Sequence, residues 1–252
     1  MTINCNGKLI DLTLPKVMGI LNITPNSFFD GGKYADENSI LKQVEKMLVD
    51  GATFIDVGAY SSKPNAEFVS EDEEISRLIP VIELILKNFP ETLISVDTFR
   101  SAVAKKAIEN GACIINDISA GNLDENMLET VAKLQVPYIM MHMKGNPKTM
   151  QSLAQYENIV KEMLFYFSNK VAQARSLGIN DLIIDPGFGF AKTLEQNFEV
   201  MNKLELFQIL EFPLLVGVSR KSMIYKTLET SAEFALNGTT VLNTIALQKG
   251  AK

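Results

Sequence analysis

The chain of 252 residues reads as an α/β protein of the (β/α)8 TIM-barrel class, and three observations carry that assignment. Short apolar strands alternate with helical stretches from residue 17 onwards, the rhythm of a parallel sheet built from βα units. Each strand runs straight into polar residues, and this architecture gathers its chemistry at the C-terminal ends of its strands. The length also fits, because such a barrel takes about 250 residues as one domain. A single domain spanning 1–252 is therefore expected.

The elements follow in order. Residues 1–16 form a hairpin around Asn6-Gly7, a favoured two-residue turn, placed to plug the bottom of the barrel. Seven strands come next: Val17–Leu21 into Asn22, Thr53–Ile55 into Asp56, and Leu93–Val96 into Asp97. They continue with Cys113–Ile115 into Asn116 and Asp117, Tyr138–Met141 into His142, Leu182–Ile184 into Asp185, and Leu214–Val218 into Ser219. Between them lie helical faces. Asn38-Ser39 caps a helix through Ile40, Leu41, Val44, Met47 and Leu48, and Ser70 with Glu73 forms a capping box for Ile75, Leu78, Ile79 and Ile82. Further apolar stripes run through Val103, Ala107 and Ile108; Ile159, Val160, Met163, Leu164 and Phe167; Phe198, Met201 and Leu204; and Ala235, Leu236, Val241, Leu242, Ile245 and Ala246. All of these stripes read as packing against the sheet.

A phrase repeats within this rhythm. Asp50-Gly51-Ala52 leading to Ile55-Asp56 is echoed by Asn110-Gly111-Ala112 leading to Ile115-Asn116, and more loosely by Leu177-Gly178-Ile179 before Asp185. In each, glycine is expected to end a helix in the left-handed conformation before a strand begins. Lys249-Gly250-Ala251-Lys252 opens the same phrase. The eighth strand and its helix are thus expected to be lacking, and the sequence to be a C-terminally truncated form of a longer protein, because two unpaired sheet edges are a hazard that natural chains avoid.

Composition narrows the function. With 46% hydrophobic and 21% charged residues the chain has material for a core and no signature of disorder. A net charge of −6 excludes a general nucleic-acid binder while allowing a local cationic pocket. Cys5 and Cys113 are distant in sequence and suit a reducing compartment, with Cys113 reading as a buried, inert thiol. The N-terminus lacks a basic region followed by an apolar run, and no apolar stretch is long enough to span a bilayer. A cytoplasmic protein without membrane partners is expected.

The loops carry the candidate chemistry. Residues 22–32 form a long polar loop with Phe28, Phe29 and Gly31-Gly32, suited to a lid that excludes water. In the loop from Gly58 to Ala66, Ser61, Ser62 and Lys63 offer hydroxyls and a cation to an anion. Asp97, Asn116 and Asp185 stand at strand ends where they can face one another; two carboxylates and an amide serve either acid–base chemistry or recognition of a heterocycle's N–H groups and carbonyl. Ser219-Arg220-Lys221-Ser222 follows the seventh strand, where barrels of this class often bind phosphate, and nothing nearby marks Lys221 as a Schiff-base amine. Asp185-Pro186-Gly187-Phe188-Gly189-Phe190 can bring backbone and Phe190 against a planar ligand. His142, the single histidine, cannot build a His-rich metal site, and both a structural and a catalytic role stay open.

Taken together, these loops resemble dihydropteroate synthases, the folate-pathway enzymes targeted by sulfonamides. The matching phrases are Met18-Gly19-Ile20-Leu21-Asn22-Ile23-Thr24-Pro25 with Ser27-Phe28, Ser95-Val96-Asp97-Thr98, Ile115-Asn116-Asp117, Met141-His142-Met143, Gly145-Asn146-Pro147, Asp185 to Phe190, and Ser219 to Ser222. The resemblance implies condensation of 6-hydroxymethyl-7,8-dihydropterin diphosphate with 4-aminobenzoate, with Mg2+, giving 7,8-dihydropteroate and pyrophosphate. It assigns the pterin to Asp97, Asn116, Asp185 and Lys221, with Asp97, Asp185 and Lys221 as the catalytic set. It assigns Mg2+ and the diphosphate to Asn22 with Ser62 nearby, and the aminobenzoate to Phe28, Lys63, Pro64, Phe190 and Ser222. It implies a homodimer, and a carbon–oxygen bond that ionises before the arylamine attacks, with no protein nucleophile. Three departures stand out. Asn26 replaces the family's usual aspartate, Lys63 replaces its usual arginine and so loses a planar fork, and the family's Arg-x-His phrase would fall beyond Lys252. Two other readings remain, a pterin-dependent methyltransferase and a non-catalytic pterin-binding fragment.

Overall fold

A computed structural model describes residues 1–23, 33–60 and 69–252, with no account of the side chains of 33–36. The hairpin forms as expected. Strands β1 (Thr2–Cys5) and β2 (Lys8–Asp11) pair antiparallel, and Asn6 and Gly7 both take positive φ, 51° and 82°, as the tight turn between them requires.

Six parallel strands follow, in sequential order: β3 (Met18–Asn22), β4 (Phe54–Gly58), β5 (Leu93–Asp97), β6 (Ile114–Asp117), β7 (Tyr138–Met141) and β8 (Leu182–Asp185). Helices α1 (Lys33–Val49), α2 (Glu71–Asn88), α3 (Ser101–Glu109), α4 (Met127–Leu134) and α5 (Ile159–Ser176) connect them, and α6 (Leu194–Asn202), α7 (Ser222–Thr227) and α8 (Leu236–Gln248) come after β8. Their apolar faces pack outside the sheet: Val44, Leu78, Ile82, Ile85 and Val103 join Leu21, Ile55, Val57, Ile94 and Val96 in one continuous core. The sheet curls as a barrel must. Phe54, Ile114, Ile139 and Ile183, from strands that are not all neighbours, meet in one interior cluster with Ile3, Cys5 and Leu12 of the hairpin segment, which seals the bottom.

The seventh barrel strand differs from the expectation of Leu214–Val218. Leu214 makes an isolated parallel bridge with Ile184, held by Ile184 N to Pro213 O at 2.9 Å and Leu215 N to Ile184 O at 2.8 Å. Lys252 N donates to Leu214 O from the other side at 2.9 Å. Beyond Leu215 the backbone turns towards the Val218–Lys221 bond instead of extending the ladder.

Helix starts show two more differences. The first helix begins at Lys33, so Asn38 and Ser39 lie inside it rather than at its cap. Ser70 caps α2 by accepting from Glu73 N, but the Glu73 carboxylate pairs with Arg77, leaving half of the capping box. A full box forms instead at Thr193 and Gln196, at the start of α6. The repeated glycine phrase behaves as read: Gly51 and Gly111 share φ of 103° at the turn from helix to strand. Cys5 and Cys113, distant in sequence, meet at the barrel bottom, where a hydrogen bond to Cys113 and burial push the Cys5 thiol far up. No helix among the described residues is long and apolar enough to cross a membrane.

Candidate active site

Parallel register aligns the polar strand ends at one level. Asn22 lies opposite Gly58, Gly58 opposite Asp97, and Asp97 opposite Asn116. Side chains alternate along a strand, so residues two apart share a face. Asp56 therefore points inward with Phe54 below it, Asn116 with Ile114, and Asp185 with Ile183. The floor of the mouth is apolar and its wall carries three carboxylates, Asp56, Asp97 and Asp185.

Their environment is dry. Burial pushes the Asp97 carboxyl well above its usual range, and the charges of Asp56, Glu74, Asp117 and Asp185 push it further. Burial also raises Asp56, against the hydrogen bond that Asn116 Nδ2 donates to its Oδ2 at 3.0 Å. The other Asp56 oxygen and the Ser95 hydroxyl are buried without a hydrogen-bond partner among the described residues. Asp185 is raised by burial too, moderated by the Lys221 charge and by Gly187 N, which donates to Oδ1 at 2.7 Å. Gly58 keeps the wall open, since a Cβ there would lie 3.3 Å from Asp97 Cβ and 3.7 Å from Asn22 Oδ1.

Lys221 supplies the cation. It precedes α7, donates through Nζ to Phe188 O, and lies 5.0 Å from the centroid of the Phe190 ring. Burial lowers its pKa while the Asp185 charge opposes the drop. Ser222 opens α7 beside it. Arg220 is turned elsewhere: its backbone takes φ of 50°, and its guanidinium donates to Ala232 O at 2.9 Å and to Glu233 O. Asn116 and Asp117 part company, as neighbours in a strand must. Asp117 accepts from Tyr138 Oη, Ser119 N and Gly121 N, each at 2.7 Å, and so braces the fold.

The structure thus brings together Asn22, Asp97, Asn116, Asp185, Phe190, Lys221 and Ser222 at the strand-end mouth. Phe28, Ser62, Lys63 and Pro64, with Asn26 and most of the expected lid, lie outside the described residues. Two participants escaped the sequence reading. Asp56 looked like a strand terminator, yet β4 runs on to Gly58 and leaves it inside the mouth; its shared parity with Gly58 was the available signal. Lys192 is the other, buried behind the Gly187–Phe190 loop with bonds to Gly187 O and Phe190 O, both at 3.0 Å. Its acceptors are backbone carbonyls, which leave no trace in sequence.

Among the described residues no group of His, Cys, Asp and Glu side chains could cage a metal. The donor set fits a magnesium site of another kind. Mg2+ commonly takes one or two protein oxygens and completes its shell with water and substrate phosphates. Asn22, exposed at the end of β3, offers one amide oxygen of the kind such a shell uses.

Comparison with known proteins agrees with this geometry. Residues 18–252 match the family model described as pterin binding enzyme. The dihydropteroate synthase of Haemophilus influenzae is 42% identical over 254 residues, covering 100% of this chain and 92% of that protein. The Yersinia pestis dihydropteroate synthase, solved as a sulfonamide drug complex, superposes with a TM-score of 0.92 at 38% identity, covering 100% of this chain and 92% of that one. The Xanthomonas albilineans dihydropteroate synthase, solved with 4-aminobenzoic acid, gives a TM-score of 0.91 at 34% identity, covering 99% and 90%.

Proposed function

The chain belongs to the pterin binding enzyme family, as a dihydropteroate synthase, and from that premise we propose how its own residues perform the reaction. The enzyme is a transferase that condenses 6-hydroxymethyl-7,8-dihydropterin diphosphate with 4-aminobenzoate. The observation that carries the residue assignment is the inward set of Asp56, Asp97 and Asp185, the first buried and the other two half-buried, gathered with the Asn116 amide and Lys221.

Carboxylates whose pKa burial has raised are stabilised by further N–H donors. A pterin brings them, because its edge carries several N–H groups beside one carbonyl. Asp97, Asn116 and Asp185 bind that edge, and Asp56 holds the Asn116 amide in orientation. Lys221, poised between Phe188 O and Asp185, donates to the ring's acceptors. As the carbon–oxygen bond breaks, its electron pair leaves with pyrophosphate and positive charge spreads into the pterin. The carboxylates Asp97 and Asp185 stabilise that charge at fixed positions in a low-dielectric wall. The arylamine lone pair then forms the new carbon–nitrogen bond, and the nitrogen loses a proton. No side chain acts as a nucleophile.

Asn22 would hold Mg2+ against the diphosphate, where the ion would neutralise charge on the leaving group. Phe190, with Ser222, Phe28, Lys63 and Pro64, forms the aminobenzoate side, and Ser62 assists the diphosphate. A cytoplasmic homodimer is part of the same reading; two buried cysteines suit a reducing compartment, and apolar Phe234, Leu236 and Val241 are exposed around α8.

Pyrophosphate release from the pterin diphosphate, with Mg2+ and with or without 4-aminobenzoate, tests the assignment. Release that requires 4-aminobenzoate, and that falls in Asp97→Asn and Lys221→Met, supports it. Undiminished release in both variants would refute it.

A further inference from the structure

Lys192 is a buried cation that this reaction scheme does not use. It stands two residues beyond Phe190, is 4% exposed, and leads into the Thr193 cap of α6. Its Nζ lies 3.0 Å from Gly187 O, 3.0 Å from Phe190 O and 3.2 Å from Nδ1 of His142, with His142 O at 3.5 Å. Among the described residues it makes no ion pair. Burial brings its pKa down to about 7, against the nearby charge of Asp185. An ammonium sunk among carbonyls is a poor way to stabilise a fold, since its desolvation is only partly returned.

What it grips is the loop that carries Phe190. That loop holds two glycines with positive φ, Gly187 at 68° and Gly189 at 85°, so its local backbone preference is weak. Buried and half-buried side chains fix it from outside. Asp185 takes Gly187 N, Lys221 takes Phe188 O, Asn197 Oδ1 accepts from Gly189 N at 2.7 Å, and Lys192 takes Gly187 O and Phe190 O. Lys192 ties the loop sideways to the β7 strand end, through His142, as Lys221 ties it to the segment after Leu214. The His142 ring is itself wedged edge-on against Tyr166, with centroids 4.9 Å apart, and burial keeps it neutral. An ammonium has only donors, so His142 Nδ1 accepts and the imidazole proton sits on Nε2.

We propose that Lys192, seated on His142, is a positioning residue that sets the Phe190 ring for the arylamine and so controls 4-aminobenzoate affinity more than pterin affinity. This rests on the reading of Phe190 as part of the aminobenzoate site. It also gives the lone histidine a role, as the acceptor that anchors the brace.

The test is steady-state kinetics of the full chain with each substrate varied separately, for the wild type, Lys192→Met and Lys192→Gln. Wild-type turnover dependent on 4-aminobenzoate, with a KM for it that rises in Phe190→Ala, establishes the underlying reading on its own, and failure of either would defeat that reading rather than this one. Given that turnover, the variants should show a KM for 4-aminobenzoate raised about tenfold, the equivalent of roughly 1.4 kcal/mol. Their kcat and their KM for the pterin diphosphate should move far less. Equal changes for both substrates, as general loosening would give, or no change at all, overturn the proposal. Nitrogen-15 NMR of the wild type is independent of whether the variants fold, because the chain has a single histidine and its signals need no assignment. At pH 6 the imidazole should be neutral with its proton on Nε2, and its resonances should shift when 4-aminobenzoate joins the pterin-loaded enzyme. A proton on Nδ1, or resonances indifferent to 4-aminobenzoate, would overturn it.

Discussion

Asn116 Nδ2 donates to Asp56 Oδ2 at 3.0 Å, across the β4 and β6 strand ends, so the amide faces the mouth in one orientation only. Asn116→Ala removes that donor and leaves a buried carboxylate with still fewer partners. A loss of about 1–3 kcal/mol in stability is expected, the usual cost of an unsatisfied buried polar group. Chemical denaturation reads the stability, and a weakened pterin diphosphate in titration calorimetry should accompany it.

Asp97→Asn should separate stability from function. The folded-state pKa of Asp97 lies well above the ordinary 3.8, so its favourable contribution is complete below 3.8 and is lost as pH rises through the folded value. Above pH 3.8 the acid carries the cost of holding a carboxyl in a wall that disfavours its charge, and the neutral amide does not. The variant should therefore unfold at a higher temperature than the wild type at pH 8, with the gap closing towards pH 4. Condensation should fall sharply at the same time. Thermal melts across pH, paired with pyrophosphate release, check both halves.

Lys221→Met should lower kcat/KM about 10- to 100-fold, because a charge-assisted hydrogen bond is worth roughly 1.5–3 kcal/mol. Lys221→Arg should not restore it, since a planar fork cannot occupy the point-like site between Phe188 O and the Phe190 ring.

Gly187→Ala probes the loop itself. Its φ of 68° is strained for any residue with a Cβ, and that Cβ would collide with the backbone oxygen of His142. Destabilisation of about 1–3 kcal/mol from the backbone alone is expected. A larger loss would report the clash, and circular dichroism melts would measure it.

Much of this site is legible in the sequence because it rests on local rules. Apolar runs such as Leu93–Val96 ending in a polar residue mark strands and their rim at once, and the βα order then fixes which rim the residues share. The same rules hide what depends on partners. Leu214–Val218 is as apolar as any strand, yet only a single bridge forms at Leu214, because pairing needs neighbours that composition does not reveal. Helix α4 is eight residues long, and its cap Asn126 makes no side-chain bond, so it left no start signal. Asp56 and Asp117 were read alike, as strand-end carboxylates, and the fold sends one into the mouth and the other into a bonded brace.

The most direct test of the account is calorimetric titration of the wild type and Asp185→Asn with the pterin diphosphate in the presence of Mg2+. Asp185 is the one mouth carboxylate held by both a backbone N–H and the Lys221 charge. If the mouth carboxylates are the pterin's partners, the variant should bind at least about 100-fold more weakly, in line with loss of a charge-assisted pair. Equal affinity in the two proteins would contradict the account and move the pterin away from this wall.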